Sequence, residues 1–234
     1  MLTPEGQLDR LEAALQDEGR LALRSLRLAL DAVRQDDVEV ADRVIGLDDE
    51  VDEVYREIDA GVQAALAHHP TTVPRVRLAL CILRASVHLE RIADYAVTIA
   101  KLAKLASGLA RDEEVFSSLD EMGARAQEMI RAALDSFARR DVVGAESLVS
   151  LDEVIDRANI RLVQQLLDVG DEPALRAWGL WMVLASRCLE RIGDHAVDIG
   201  EQTAFLVTGQ FREFTDASRP VEAIGGGFWG RPAA

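Results

Sequence analysis

Apolar residues recur at alternating spacings of three and four along almost the whole chain, which is the pattern of amphipathic helices. In the third predicted helix the apolar stripe from Leu78 through Leu89 to Ala103 is typical of an antiparallel bundle. Aromatic residues make up only 5% of the chain, which favours helices packed on helices over a sheet. The sequence therefore predicts an all-α protein, with helices at roughly 5–34, 38–67, 72–108, 112–139, 141–169 and 172–209.

The chain contains an internal repeat. Residues 88–97 read HLERIADYAV, and residues 188–197 read CLERIGDHAV, 100 positions later. The Leu-Asp pair at 47–48 recurs at 151–152, an offset of 104, so the length difference falls between the two motifs. We place it in the loop at 68–74, because copies of one unit differ in length mainly in loops.

The repeat predicts two tandem, pseudo-symmetric three-helix bundles. Periodicity is lost after about Arg212, and the segment that contains Gly225 to Gly227 is expected to be a flexible tail. The predicted division is a first three-helix repeat over 1–109, a second over 110–211, and the tail over 212–234.

The net charge of −15, the lengths of the apolar runs and the two cysteines limit the partners and locations that we expect. Such an acidic surface repels nucleic acid, so we expect no nucleic-acid partner. No apolar run reaches about 18 residues and the first five residues lack signal-peptide features, so we expect neither a membrane span nor secretion. Cys81 and Cys188 lie inside apolar helical patterns without metal or disulfide spacing, which indicates a cytoplasmic location.

Each half of the chain carries two pairs of acidic residues spaced four apart, which places each pair on one helix face. Each carboxylate directly follows an apolar or small residue, so it lies at the border of the buried stripe. We expect the second and third helices of each unit to bring these borders together. The pairs are Asp48 with Asp52, Glu90 with Asp94, Asp152 with Asp156, and Glu190 with Asp194.

Two explanations compete for these carboxylates. In a chain with 41 acidic residues, any single pair is most simply a solvated face. However, like charges at this spacing cost roughly 0.2–0.5 kcal/mol per pair, and the pairs recur at matched positions in two diverged copies. Four clustered carboxylates need protonation, arginine or a cation. Oxygen donors without thiolates suit Mg, Ca, Mn or Fe and tolerate Zn, so we hypothesise a metal site on each unit.

The histidines are interpreted differently. The Glu-x-x-His motif of ferritin-like di-iron bundles is absent. His195 corresponds to Tyr95 in the other copy, and His88 corresponds to Cys188, so local packing explains each better than metal ligation. The pair at 68–69 is interpreted as a solvated turn.

The duplicated Leu-Glu-Arg-Ile-Gly/Ala-Asp-His/Tyr-Ala-Val segment, with Leu-Asp-x-x-x-Asp upstream both times, resembles the PhoU family of phosphate-uptake regulators over about residues 1–210. The resemblance implies two similar three-helix bundles side by side. It also implies multinuclear iron or zinc clusters bound on the surface by Glu/Asp-x-x-x-Asp motifs, which here are the eight carboxylates named above. Ala93 and Tyr95 replace the usual Gly and His, so the first site is expected to differ from the second in geometry or occupancy.

The resemblance further implies a non-enzymatic negative regulator of phosphate uptake and phosphate-starvation signalling. Such a protein links the ATPase subunit of the phosphate ABC transporter to a membrane sensor histidine kinase, at the inner face of the membrane. It leaves open whether the chain is a homodimer. Two alternatives also stay open, a carboxylate-bridged helical metalloenzyme and a metal-free helical scaffold. Against the enzyme, the sequence shows no catalytic base common to both copies, no phosphate-binding glycine loop and no Gly-x-Ser-x-Gly motif.

Overall fold

A computed structural model describes residues 4–67, 72–168 and 172–214. All regular structure in these ranges is helical, so the predicted all-α class is confirmed, and every predicted helix end lies within two residues of the observed one. The loop histidines at 68–69 and the glycine-rich segment at 225–227 lie outside the described residues. The helices are α1 (Pro4–Gln35), α2 (Val38–Ala67), α3 (Val73–Ala106), α4 (Glu113–Arg139), α5 (Val142–Asp168) and α6 (Pro173–Thr208).

Local sequence signals specify where the helices begin and end. The Asp112 side chain accepts hydrogen bonds from the backbone N–H groups of Glu114 and Val115 at 3.0 and 2.9 Å, and so caps α4. Both α3 and α6 have a proline in their first two positions, where the missing N–H costs nothing. At the end of α6, Gly209 adopts a φ of +73° and donates its N–H to the Phe205 carbonyl at 2.8 Å.

The helices form two three-helix bundles that pack side by side. In the first bundle α1, α2 and α3 contact one another, and in the second α4, α5 and α6 do the same. The bundles join where α3 packs against α6 and α1 against α4. The predicted boundary at residues 109 and 110 falls in the connection between α3 and α4. Among the described residues, no helix combines the length and the low charge that crossing a bilayer requires.

The two copies of the repeated motif occupy the centre of this arrangement. Leu89 and Ile92 on α3 have no exposed surface, and neither do Leu189 and Ile192 on α6. Because these residues point into the core, the acidic residues between them lie along the border of the buried stripe.

One acidic side chain lies in the core itself. Glu18 on α1 has no exposed surface, and its Oε2 accepts a hydrogen bond from the Ser86 hydroxyl at 2.6 Å. Its Oε1 has no hydrogen-bond partner among the described residues. Burial raises the pKa of Glu18 to about 8, against the smaller opposing effect of the Ser86 hydrogen bond. The folded protein therefore favours the neutral acid at neutral pH.

This burial predicts that Glu18→Gln stabilises the protein at high pH only. The pKa of Glu18 is higher in the folded than in the unfolded chain, so stability falls as pH rises from 4.5 toward 8. Glutamine imitates the neutral acid at every pH. We expect the variant to raise the free energy of unfolding by about 3–5 kcal/mol at pH 8 and by less than about 0.5 kcal/mol at pH 4.5.

Urea denaturation at the two pH values measures this difference. The exposed Glu57→Gln on α2 is the matched control, with no pH-dependent effect expected. Equal effects of Glu18→Gln at both pH values would contradict the prediction.

Candidate metal-binding faces

The structure brings the eight predicted carboxylates together in two groups of four. We call the group on α2 and α3 the first acidic face, and the group on α5 and α6 the second acidic face. Within each face neighbouring carboxylates are close enough to add to the effect of burial and raise the pKa of Asp48 and Glu90 in the first and of Asp152 and Asp156 in the second. The first acidic face is Asp48, Asp52, Glu90 and Asp94, and the second acidic face is Asp152, Asp156, Glu190 and Asp194.

The two faces are buried to similar degrees at their α3 and α6 positions. The Glu90 side chain is 21% exposed and its counterpart Glu190 is 16% exposed. Asp94 and Asp194 are 42% and 41% exposed. All eight carboxylate residues are at least partly buried, so they are less solvated than a free acidic surface would be.

At the first acidic face, basic side chains offset part of the negative charge. Arg91 approaches Asp94 with its Nη1 at 3.1 Å from Oδ2, and its Nε lies 3.4 Å from Glu90 Oε2. Lys101 lowers the pKa of Asp48, but burial and the neighbouring carboxylates outweigh it and raise that pKa. A cavity of about 280 Å³ opens beside Asp48, Arg91, Asp94 and Lys101.

The second acidic face is more strongly perturbed. Asp152 is only 8% exposed, and its Oδ1 has no hydrogen-bond partner in the described part of the chain. Burial first, and then Asp156, Asp194 and Glu190, raise the pKa of Asp152 to about 7. Burial first, and then Glu190 and Asp194, raise the pKa of Asp156 to about 6 against the opposing effect of Arg187. This face therefore holds protons close to neutral pH, which a bound cation would displace.

Gly193 makes room for the buried carboxylate. A Cβ atom at this position would lie 2.7 Å from Asp152 Oδ1 and 3.4 Å from Ile155 Cδ1. The first copy has Ala93 here, and Asp48, which corresponds to Asp152, is only half-buried. The difference between Gly193 and Ala93 therefore has a structural consequence. Gly193 leaves room for the buried Asp152 carboxylate, and Ala93 is expected to keep the Asp48 carboxylate nearer the surface.

A hydrogen-bonded chain that sequence analysis missed holds Glu190 in place. Asn159 on α5 donates its amide to Glu190 Oε2 at 2.6 Å, and Ser186 donates its hydroxyl to Asn159 Oδ1 at 2.8 Å. Arg187 also donates to Glu190 Oε2. Ser186 and Asn159 are buried, so their polar groups form hydrogen bonds with each other and with Glu190 rather than with solvent. The recurrence of serine at positions 86 and 186, inside an apolar stripe, was the signal available in the sequence.

The donor atoms of the acidic faces are widely spaced. Among the described residues, no three carboxylates of either face bring ligand oxygens within 4.8 Å of one another. Neither face therefore presents three converging ligand atoms for a single ion in this conformation.

His88 and His195, for which the repeat comparison predicts local packing, contact each other. His88 on α3 and His195 on α6 place their Nδ1 atoms 3.1 Å apart, and the Tyr95 ring stacks on His195 with centroids 5.8 Å apart. Asp198, which sequence analysis did not single out, lies 3.3 Å from both Nδ1 atoms through its Oδ2. Burial lowers the pKa of His88 more than Asp198 raises it, which favours the neutral imidazole.

These features define a class of protein, an all-helical chain of two repeated three-helix bundles with one acidic face on each. The family model described as "PhoU domain" matches residues 15–103 and again residues 119–203, one match on each bundle. The chain belongs to the PhoU family.

Relatives and solved structures agree with this assignment over most of the chain. A phosphate-specific transport system accessory protein PhoU homologue from Pseudomonas putida is 30% identical over 204 residues, which cover 87% of this chain and 80% of that protein. One from Clostridium acetobutylicum is 27% identical over 214 residues, covering 91% of this chain and 97% of the relative.

Two crystal structures have the same fold. PhoU from Pseudomonas aeruginosa matches with a TM-score of 0.84 and 29% identity, covering 89% of this chain and all of that one (100%). The phosphate transport system regulatory protein PhoU from Streptococcus pneumoniae matches with a TM-score of 0.82 and 25% identity, covering 90% and 99%.

The role of Gly193 predicts the effect of exchanging the two small residues. In metal-free protein, Gly193→Ala should push the Asp152 carboxylate toward solvent and lower its pKa from about 7 toward the usual aspartate range, because burial is the main cause of the shift. The reciprocal Ala93→Gly should let Asp48 move inward and raise its pKa. Carboxyl ¹³C chemical shifts followed through a pH titration measure both values. An unchanged Asp152 pKa in Gly193→Ala would disprove this role of the glycine.

Proposed function

We propose that this protein is a non-enzymatic negative regulator of phosphate uptake and of phosphate-starvation signalling. The observation that carries the proposal is the PhoU-domain match on both bundles, in a chain whose relatives are named phosphate-specific transport system accessory proteins. Those relatives align with this chain over at least 80% of their own length, so the proposed role concerns both bundles together.

The regulator acts, in this proposal, through protein surfaces at the inner face of the membrane. Its partners are the ATPase subunit of the phosphate ABC transporter and a membrane sensor histidine kinase. Long helices with polar outer faces are suited to contacts of this kind. A net charge of −15 further favours partners with basic docking surfaces. A protein that passes a signal from one partner to another requires two conformations and a ligand that binds one of them more tightly.

We further propose that each acidic face binds a multinuclear metal cluster, of iron or zinc. Three properties of the second acidic face support this. Its donors are all carboxylate oxygens, the buried Oδ1 of Asp152 has no hydrogen-bond partner in the described residues, and the pKa values of Asp152 and Asp156 are raised. A cluster would supply positive charge that neutralises these carboxylates and ties α5 to α6. Asn159 and Arg187 orient Glu190 for this task.

Metal binding to the second acidic face should release protons and strengthen as pH rises. Asp152 and Asp156 have pKa values of about 7 and about 6, so a metal ion must displace protons from them below pH 7. We expect chelator-treated protein to bind Fe²⁺, Mn²⁺ or Zn²⁺ roughly ten- to a hundredfold more tightly at pH 8 than at pH 6.

Isothermal titration calorimetry in two buffers of different ionisation enthalpy measures both the affinity and the protons released. The double variant Asp152→Asn with Asp156→Asn should lose the pH-dependent sites and keep those of the first acidic face. Absence of binding at micromolar metal would refute the metal proposal and leave the regulatory one standing.

The regulatory role is tested in cells that carry a single gene of this family. Deleting the gene should raise expression of phosphate-starvation genes in high phosphate, as a transcriptional reporter would measure, and the wild-type gene should restore repression. Glu190→Ala with Asp194→Ala should fail to restore it, because it removes half of the second acidic face. The control is Asp49→Ala with Glu53→Ala, an exposed acidic pair of the same spacing on α2.

Two outcomes contradict parts of this proposal. Unchanged reporter expression after deletion would refute the regulatory role. Full repression by the Glu190→Ala and Asp194→Ala variant, at normal protein level, would favour a metal-free scaffold instead.

A further inference from the structure

His88, His195 and Asp198 form a compact group across the contact between the two bundles. His88 belongs to α3 of the first repeat, and the other two residues lie one helical turn apart on α6 of the second. The two Nδ1 atoms are 3.1 Å apart, and Asp198 Oδ2 is 3.3 Å from each of them. In the part of the chain that the structure describes, this is the one group of three histidine, cysteine or acidic side chains whose ligand atoms converge within 4.8 Å.

Hydrogen bonds between the three side chains do not account for all of these contacts. Each neutral imidazole has one N–H, and a carboxylate has none, so at most two hydrogens can point into the triangle. Three short contacts therefore include at least one between two atoms that both present lone pairs or both present hydrogens. A single cation at the centre would make all three contacts favourable, because every one of these atoms is a ligand when unprotonated.

The dimensions of the triangle match a face of a metal coordination polyhedron. A tetrahedral Zn²⁺ with ligand bonds of 2.0–2.1 Å has ligand atoms about 3.3–3.4 Å apart. The observed separations are 3.1, 3.3 and 3.3 Å. Three protein ligands leave the fourth vertex for water or another donor. The side chains of His88, His195 and Asp198 are 22%, 20% and 39% exposed, so an ion can reach them from solvent.

The electrostatic surroundings favour a cation. Asp198 lies close enough to Asp152, Asp194 and Glu201 to raise the pKa of each. Two imidazoles and a carboxylate form a mixed donor set that suits borderline divalent ions such as Zn²⁺, rather than the harder Mg²⁺ and Ca²⁺. The acidic faces offer only carboxylate oxygens, so this group differs from them in ligand type, and it borders the second face through Asp198.

We propose that His88, His195 and Asp198 form a mononuclear site for a divalent transition ion of the Zn²⁺ type, which joins α3 of the first bundle to α6 of the second. The site exists once per chain, because the equivalent positions of the repeat hold Cys188, Tyr95 and Thr98. It does not depend on the acidic faces or on the regulatory role, so it can fail or succeed without them.

The test uses Co²⁺ as a spectroscopic probe and Zn²⁺ as its competitor on the chelator-treated full chain. Co²⁺ should produce visible d–d absorption with the intensity of a four-coordinate site, and Zn²⁺ should abolish it. His88→Ala, His195→Ala and Asp198→Asn should each lose this absorption and one tightly bound Zn²⁺ per chain. Thr98→Ala and Cys188→Ala, at the equivalent positions, should keep both.

A second measurement guards against misfolding of the variants. Zn²⁺ should raise the melting temperature of the wild type and of Asp152→Asn with Glu190→Gln, and should not raise that of folded His88→Ala. Circular dichroism confirms that each variant retains its helices. The proposal is overturned if His88→Ala and His195→Ala keep the Co²⁺ absorption and the Zn²⁺ stoichiometry. It is equally overturned if the Asp152→Asn and Glu190→Gln variant loses them, since the ion would then belong to the second acidic face.

Discussion

Leu89 and Ile92 on α3, together with Leu189 and Ile192 on α6, are completely buried in the core that joins the two bundles. On a helix, fixing residues three apart in the core also fixes the direction of the residues between and beside them. Glu90 and Glu190 are therefore held at the border of the buried stripe, where they meet the acidic residues of α2 and α5. Moving either leucine out of the core would turn the carboxylates away from their partners.

The acidic faces oppose the stability that this packing provides. Burial and mutual repulsion raise the pKa values of Asp48, Glu90, Asp152 and Asp156, so folding favours their neutral forms. A chain with no use for the faces would be more stable with neutral residues at these positions. The second face keeps its acidic residues and also holds one of them in position, because Asn159 donates a short hydrogen bond to Glu190. Preserving an unfavourable cluster and positioning its members is expected of a binding site rather than of a surface.

The sequence was sufficient to predict the helices, the duplication and the grouping of the eight carboxylates on two faces, since all three depend on periodicity along one chain; their role as metal ligands stays a prediction. The supporting residues could not be predicted in this way. Glu18 and Asn159 both meet the serine of the repeat, Ser86 or Ser186, but they come from different helices, α1 and α5. No repeat pattern indicates which helix supplies the partner. That choice depends on how the helices are rotated against each other, which is a property of the packed structure.

The histidines show a second limit, which concerns how repeats are compared. Aligning equivalent positions pairs His88 with Cys188 and His195 with Tyr95, and this comparison argues against a duplicated ligand site. A site between the two copies is instead built from positions that are not equivalent in the repeat. The contact between α3 and α6 brings position 88 of one copy against position 195 of the other, and these positions are not equivalent. Their symmetry-related pair is Cys188 with Tyr95, so substitution could build a site at one pair and leave none at the other.

The same reasoning explains why the two bundles are not interchangeable. Gly193 admits the buried Asp152, whereas the corresponding alanine is matched with a half-buried Asp48. Each face has two nearby basic side chains, Arg91 and Lys101 at the first and Arg187 and Arg191 at the second, but the second face is deeper and borders Asp198 of the inter-bundle group. A cation at either place lowers the cost of charging the carboxylates it neutralises, and Asp198 lies within electrostatic range of both places. Charge at the second face therefore interacts with charge at the inter-bundle group through Asp198, and the first face lacks such a neighbour because Thr98 stands where Asp198 would be.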